Sequence, residues 1–190
     1  MTSIEPQIVP ALRARRSARA FDRRPVEREK INALIEAFRW GASSGNRQPW
    51  RLLFAESEQA RAAWDKCLGP ANQPWAPNAM VKIVVLGNPE EQPEAHGQQR
   101  FLLDCGIALD GLLVQACAMG LNVRAMADWS EQEVIAAFAV PPPFRVVTLV
   151  AAGYPGRVED LPPAVQEKEA RPRTRKRPEE FVFVDRYGTR

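Results

Sequence analysis

From Gln98 to Met119 the chain is apolar around most of a helix's circumference. A helix of that kind is stable in water only when neighbours cover it on more than one side, so the other elements must wrap it. Gly106, Ala108 and Gly111 lie along it where another backbone can approach closely. The fold is therefore expected to build outward from this central buried helix.

The remaining segments supply the wrapping. Ile31, Leu34, Ile35 and Phe38 recur at helical spacing through residues 27–40, and Ala60, Ala63, Trp64 and Cys67 do so through residues 57–68. A further helix is predicted over 131–138 and a short one over 6–15. Val81 to Leu86 is a β-branched apolar run that reads as a central strand buried on both faces, and 51–55, 122–127 and 146–152 read as further strands. Helices and strands mixed in this order, with no Gly-rich βαβ opening, give an α+β sandwich. Residues 156–178 change character, with prolines, alternating charges and no apolar period, and residues 181–184 are apolar without clean alternation; together 156–190 predict an extended tail packing on its own domain or on a partner subunit.

With 190 residues and 45% hydrophobic content, residues 1–190 are expected to form one domain. Cys67, Cys105 and Cys117 have no CxxC spacing and read as reduced core thiols, as in a cytoplasmic protein. His96 is the single histidine and lies in a polar loop, which excludes a zinc enzyme and a Ser-His-Asp hydrolase; no metal is expected. No run of about 18 consecutive apolar residues argues for a membrane span. The 26 basic residues comprise 21 arginines against 5 lysines, offset by 23 acids to a net charge of +3. That balance suits discrete anion sites better than a uniformly cationic surface.

Arginine is concentrated at 13, 15, 16 and 19, beside Ser17. Alone, the cluster fits a solvated helix end as well as a phosphate site, where bidentate guanidinium groups grip oxygens. One helix later, Ser43-Ser44-Gly45-Asn46-Arg47-Gln48-Pro49-Trp50 offers short polar side chains at a helix end suited to a planar, many-acceptor ring. A plain capping loop is the alternative.

Taken in order, Arg-Arg-Ser-x-Arg-x-Phe at 15–21, Pro-Val-x-x-Glu-Lys-Ile at 25–31 and Ser-Ser-x-Asn-x-Gln-Pro-Trp at 43–50 resemble the opening of the FMN-dependent nitroreductase family. The likeness continues through Asp104-Cys105-Gly106-Ile107-Ala108, Met119-Gly120-Leu121, Val140-Pro141 and Gly153-Tyr154-Pro155. It closes with Arg177-Pro178-Glu179-Glu180-Phe181 and Asp185-Arg186-Tyr187-Gly188.

The resemblance implies a mixed, mainly antiparallel sheet flanked by helices, in a homodimer with two FMN sites at the subunit interface and NADH or NADPH as electron donor. It places Arg15, Arg16, Ser17 and Arg19 on the phosphate, ribityl chain and pyrimidine edge. Ser43, Ser44, Asn46 and Gln48 approach the ring, some from the other subunit. Arg175 and Arg177 complete the phosphate site, and Asn72 lies against the pyrimidine side. Ala127 and Asp128 align with the turn that faces the flavin N5, where a glycine common in the family is replaced by bulkier residues. Asp128 can alternatively cap the helix that starts near Ser130. No protein side chain is required as a catalytic nucleophile or essential acid, because the cofactor performs the chemistry.

Trp40, Trp50, Trp64 and Trp75 read as core or interface residues. The run 171–177 taken alone resembles a nucleic-acid patch, but flanking acids and the lack of interleaved aromatics favour a docked tail. Two functions are thus predicted. The first is an FMN oxidoreductase passing electrons from NAD(P)H to a small electron-poor acceptor such as a nitroaromatic, quinone or enone, without nucleic-acid or membrane partners. The alternative is a polyanion- or nucleic-acid-binding module using residues 13–19 and 171–177.

Overall fold

The computed structural model describes residues 7–189. Four strands, β1 (Trp50–Phe54), β2 (Val81–Gly87), β3 (Asn122–Met126) and β4 (Arg145–Gly153), form one sheet in the order β1-β2-β4-β3. All three pairings are antiparallel, with Leu53 opposite Val84, Val84 opposite Leu149 and Ala125 opposite Val150. The sheet is thus antiparallel throughout; among the described residues the parallel contribution is an isolated bridge between Ser17 and Val123.

Strand periodicity of two divides the core. Along β2, Val81, Ile83 and Val85 face a cluster containing Leu34 and Phe38 of helix α2 (Arg28–Arg39) with Cys105, Ala108, Leu112 and Ala116 of helix α4 (Arg100–Ala118). Val84 and Leu86 face the opposite cluster, containing Trp64 of α3 (Glu58–Lys66), Trp75, and Val134 of α5 (Glu131–Phe138). Ser57 and Ser130 cap α3 and α5, their hydroxyls accepting from the amides of Ala60 and Glu133. The Trp64 indole donates to the Ile83 carbonyl at 3.2 Å, which satisfies the polar end of a fully buried ring.

Close approach of α2 and α4 accounts for two of the small residues. A Cβ on Gly111 would stand 2.8 Å from the Ala37 carbonyl oxygen, and one on Gly41 would stand 2.4 Å from the Ala108 Cα. Gly106, by contrast, has nothing within 4 Å. The other departure concerns α4 itself, because Leu102, Leu103 and Ile107 are exposed, Leu103 by 61%. This helix packs on the sheet and α2 and meets the short N-terminal helix, while the side bearing Leu102, Leu103 and Ile107 stands open in the single chain. By length and composition α4 could cross a membrane, but its packed face marks it as a core helix here.

The thiols of Cys67 and Cys105 are buried and all three cysteines are free. Burial, assisted by Glu133, pushes Cys67 up to about 11; burial, assisted by Asp104, pushes Cys105 up to about 12. Both remain protonated at neutral pH and are poor nucleophiles. Trp50, Trp64 and Trp75 are core residues, whereas Trp40 is 75% exposed and donates its indole N–H to Glu36 at 2.6 Å. The short N-terminal helix α1 spans Pro10–Ala14, inside the predicted 6–15 range, whose first residue lies outside the described residues. In the tail, helix α6 (Pro163–Ala170) was not foreseen.

Candidate cofactor-binding site

Residues 17–22 run along the open edge of the sheet and are pinned there by backbone contacts. Ser17 bridges to Val123, Phe21 bridges to Pro155, the Asp22 amide donates to the Tyr154 carbonyl, and the Asn122 side chain donates to the Ala20 carbonyl at 2.7 Å. Gly156 is needed for this docking, since a Cβ there would lie 2.5 Å from the Phe21 carbonyl carbon. Ala18 and Ala20 are buried in the docked segment, while Arg15, Arg16, Ser17 and Arg19 remain at the surface, where α6 brings the tail back against them.

The result is a hollow of about 240 Å³ lined by Arg15, Arg16, Ser17 and Arg19 from the N-terminal segment and by Lys168, Arg171, Arg173 and Arg175 from the tail. Seven of its eight lining residues are basic. Glu169 organises them from below. Only 5% exposed, its carboxylate accepts from the Arg19 amide at 3.3 Å and from the Arg19 guanidinium at 3.2 Å, with Arg16 at 3.6 Å. Arg16 also donates to the Glu169 carbonyl at 2.5 Å, and Arg173 donates to the carbonyls of Arg13 and Arg15. One buried carboxylate thus fixes two guanidinium groups, and the lining keeps a large surplus of positive charge. Such a surface binds a phosphate-like dianion through charge-assisted bonds.

The loop between α2 and β1 is built differently. The Ser43 hydroxyl accepts from the Gln48 amide at 3.0 Å, and both carboxylate oxygens of the buried Asp104 accept from the Ser44 amide at 3.3 Å. Gly45, Asn46 and Gln48 take left-handed conformations with φ of 60°, 54° and 49°. Asparagine and glycine tolerate that region, and the Gln48 side chain offsets its own strain by donating to the Asn46 carbonyl and side-chain oxygen. Ser44 and Asn46 are exposed, and none of residues 43–48 lines the arginine hollow. Within one chain the two groups of predicted residues are not brought together.

Ala127 and Asp128 follow β3. Ala127 is exposed and lines a cavity with Ala125, Met126, Trp129, Val147 and Thr148. Asp128 does not cap α5; Ser130 does. The Asp128 carboxylate instead accepts from the Ala71 amide at 2.8 Å, while its carbonyl accepts from the Gly69 amide and from the Asn72 side chain, also at 2.8 Å. Asn72 is buried and serves this clamp. Arg177 lies beyond the hollow, where its amide donates to Glu180 in a short helical turn.

The sequence pattern of the Nitroreductase family matches residues 12–85, which contain both the N-terminal arginines and the Ser43–Gln48 loop. A solved structure described as "The crystal structure of the oxidoreductase containing FMN" superposes with a TM-score of 0.86 at 28% identity, covering 100% of this chain and 96% of that one. This chain belongs to the nitroreductase family. A curated relative from Mycolicibacterium smegmatis, described as an uncharacterized 15.4 kDa protein, is 35% identical over 108 residues, which cover 57% of this chain and 73% of the relative. Another, from Archaeoglobus fulgidus and named "Putative NADH dehydrogenase/NAD(P)H nitroreductase", is 24% identical over 151 residues, covering 77% of this chain and 84% of the relative.

Several residues of this nitroreductase-family hollow escape a reading of the sequence alone. Lys168 belongs to it, as do Glu169 beneath and Arg124 of β3 beside it, whereas Arg171 and Arg173 fall in the run 171–177 expected to dock as a tail. Arg124 donates to the Ser17 carbonyl at 2.7 Å and lies 5.4 Å from the Trp75 ring centroid, while its Nε is buried without a hydrogen-bond partner. Burial and the Arg19 charge push the Arg124 pKa down from the usual arginine value, and Glu169 acts against them. A usable signal was present for the tail: Leu161, Val165 and Glu169 recur at four-residue spacing and are the buried residues of that stretch.

Proposed function

We propose that this chain is an FMN-dependent oxidoreductase that passes two electrons from NADH or NADPH to a small electron-poor acceptor such as a nitroaromatic, quinone or enone. The oxidoreductase class, FMN and a nicotinamide donor follow from its family and from the FMN-containing fold neighbour. The observation that carries the site assignment is the meeting of the two arginine-rich segments, 15–19 and 171–175, in one hollow. FMN, when bound, supplies the hydride chemistry.

In this reading Arg15, Arg16, Ser17, Arg19 and Arg175 hold the phosphate end, Arg177 lies at its margin, and Glu169 keeps Arg16 and Arg19 in position. Donors near the pyrimidine edge favour the negative charge that reduction places there. The ring side is completed by Ser43, Ser44, Asn46 and Gln48 of a second copy, because the first copy's own loop does not reach its hollow. The exposed α4 residues Leu102, Leu103 and Ile107 and the exposed tail residues Phe181, Val182 and Tyr187 supply apolar area for such a homodimer. Ala127 borders the ring pocket, and Asn72 and Asp128 shape it by fixing the 69–72 loop. The chain acts as one domain, in the cytoplasm.

The decisive variant is Arg15→Ala combined with Arg175→Ala, since neither carries the buried Glu169 contact. Each lost charge-assisted bond is worth about 1.5–3 kcal/mol, so flavin absorbance after gel filtration should drop sharply while the far-UV circular dichroism stays unchanged. Full flavin retention in that variant would refute the phosphate assignment. A colourless parent protein with strongly salt-dependent nucleic-acid binding would favour the polyanion-binding alternative.

A further inference from the structure

A second cationic hollow lies at the far end of the β1–β2 pair and shares no lining residue with the first. Its volume is about 290 Å³, near the lower bound of about 300 Å³ for small-molecule sites. Val26, Ile31 and Phe54 contribute apolar lining, Arg61 and Lys82 contribute cationic lining, and the exposed Arg28–Glu56 ion pair borders it with contacts of 2.7 and 3.0 Å. Lys82 is 3% exposed and spends its ammonium on Asp65 at 2.5 Å. Arg61 has no counterpart of that kind: its Nε is buried without a partner, and its guanidinium makes no hydrogen bond or ion pair among the described residues. Both nearby acids are already engaged, Glu56 by Arg28 and Asp65 by Lys82; Arg61 acts on Glu56 only through its charge, which lowers that carboxyl's pKa after Arg28 does. Burial lowers the Lys82 pKa, Asp65 raises it, and Arg61 and Arg23 lower it further. With Arg28, Arg61 and Lys82 against Glu56 and Asp65, the hollow keeps a net positive charge.

Buried donors without partners are rare in proteins, and one that borders a cavity is satisfied when an acceptor enters it. We propose that this hollow binds a small organic monocarboxylate, its oxygens on Arg61 and Lys82 and its apolar body against Val26, Ile31 and Phe54. A guanidinium offers the planar fork that a carboxylate fits. Inorganic phosphate is the poorer occupant, because it has no apolar body to set against Val26, Ile31 and Phe54 and more oxygens to satisfy than Arg61 and Lys82 serve.

Met80 lines the same hollow and is one of four methionines, so its methyl group reports on the site. The purified full-length protein, with the flavin it carries, would be labelled at methionine methyls and titrated with benzoate, Met80→Leu assigning the resonance. The Met80 signal is expected to move saturably. In Arg61→Gln, with unchanged flavin content, half-saturation should weaken at least about tenfold, the lower limit for one charge-assisted bond. The proposal falls if the Met80 signal does not saturate, if Arg61→Gln binds benzoate as tightly as the parent, or if inorganic phosphate saturates the same shift at lower concentration than benzoate.

Discussion

The arginine hollow and the Ser43–Gln48 loop were equally prominent as short sequence patterns, yet the folded chain treats them in opposite ways. In the hollow, side chains from positions some 150 residues apart converge, and a buried carboxylate holds them. The loop is braced by its own backbone and by Asp104, while its recognition side chains point to no partner within the hollow. A site whose charge-bearing half is finished inside one chain, and whose other half is displayed outward, is what a shared subunit site requires.

The strongest way to break this contrast is Glu169→Ala. It removes a buried acceptor from Arg19 and Arg16 and should cost about 3 kcal/mol of stability, read from urea unfolding. A loss below about 0.5 kcal/mol, the range of ordinary surface substitutions, would show that the hollow does not depend on its carboxylate. Next in size, Gly41→Ala forces a Cβ onto the Ala108 backbone and should cost about 1–3 kcal/mol through overpacking. Because Gly41 begins the loop, proteolysis near residues 43–48 should also accelerate; unchanged cleavage would separate the loop from the α2–α4 contact.

Asp128→Ala sharpens the comparison from a third direction. Losing the Ala71 contact should cost about 1 kcal/mol, with amide exchange faster at residues 69–72 and unchanged in α5. Faster exchange in α5 instead would restore the capping role. The smallest stability effect belongs to Asn46→Gly, which preserves the left-handed backbone and should lie within about 0.5 kcal/mol of the parent. Its signature is kinetic: flavin content should stay constant while the rate of reduction by NADH or NADPH changes. Parent-like reduction kinetics would make Asn46 purely structural.

Most regular elements were legible because their signals are local. β2 is buried on both faces and reads as a β-branched apolar run broken only by Lys82, and α5 begins at the serine its pattern suggests. Three features were not legible, each for a tertiary reason. Helix α6 hid because its stripe includes Glu169, a charge that becomes a core residue only when Arg16 and Arg19 arrive from the other end of the chain. The open side of α4 was read as buried because apolar residues around a whole helix look alike whether their cover is the same chain or another surface. Asp128 stands where the resemblance puts a flavin contact and where a cap of α5 could equally sit, but a loop nearly 60 residues earlier captures its carboxylate. Arg15, Arg16, Ser17, Arg19 and Arg175 were placed together in advance, whereas Arg124 and Lys168 carry no local mark that separates them from surface cations.

The meeting of the two ends also orders events in the life of the molecule. Until residues 168–175 have emerged from the ribosome, the hollow lacks half of its cationic lining, so on the proposed reading cofactor loading waits for the tail. The same geometry makes the tail a point of control. A protease that clips after β4 would remove Glu169 and every tail arginine, yet leave the sheet and nearly all of both apolar clusters intact; if the hollow holds the flavin phosphate as proposed, what remains is a folded scaffold without its cofactor grip.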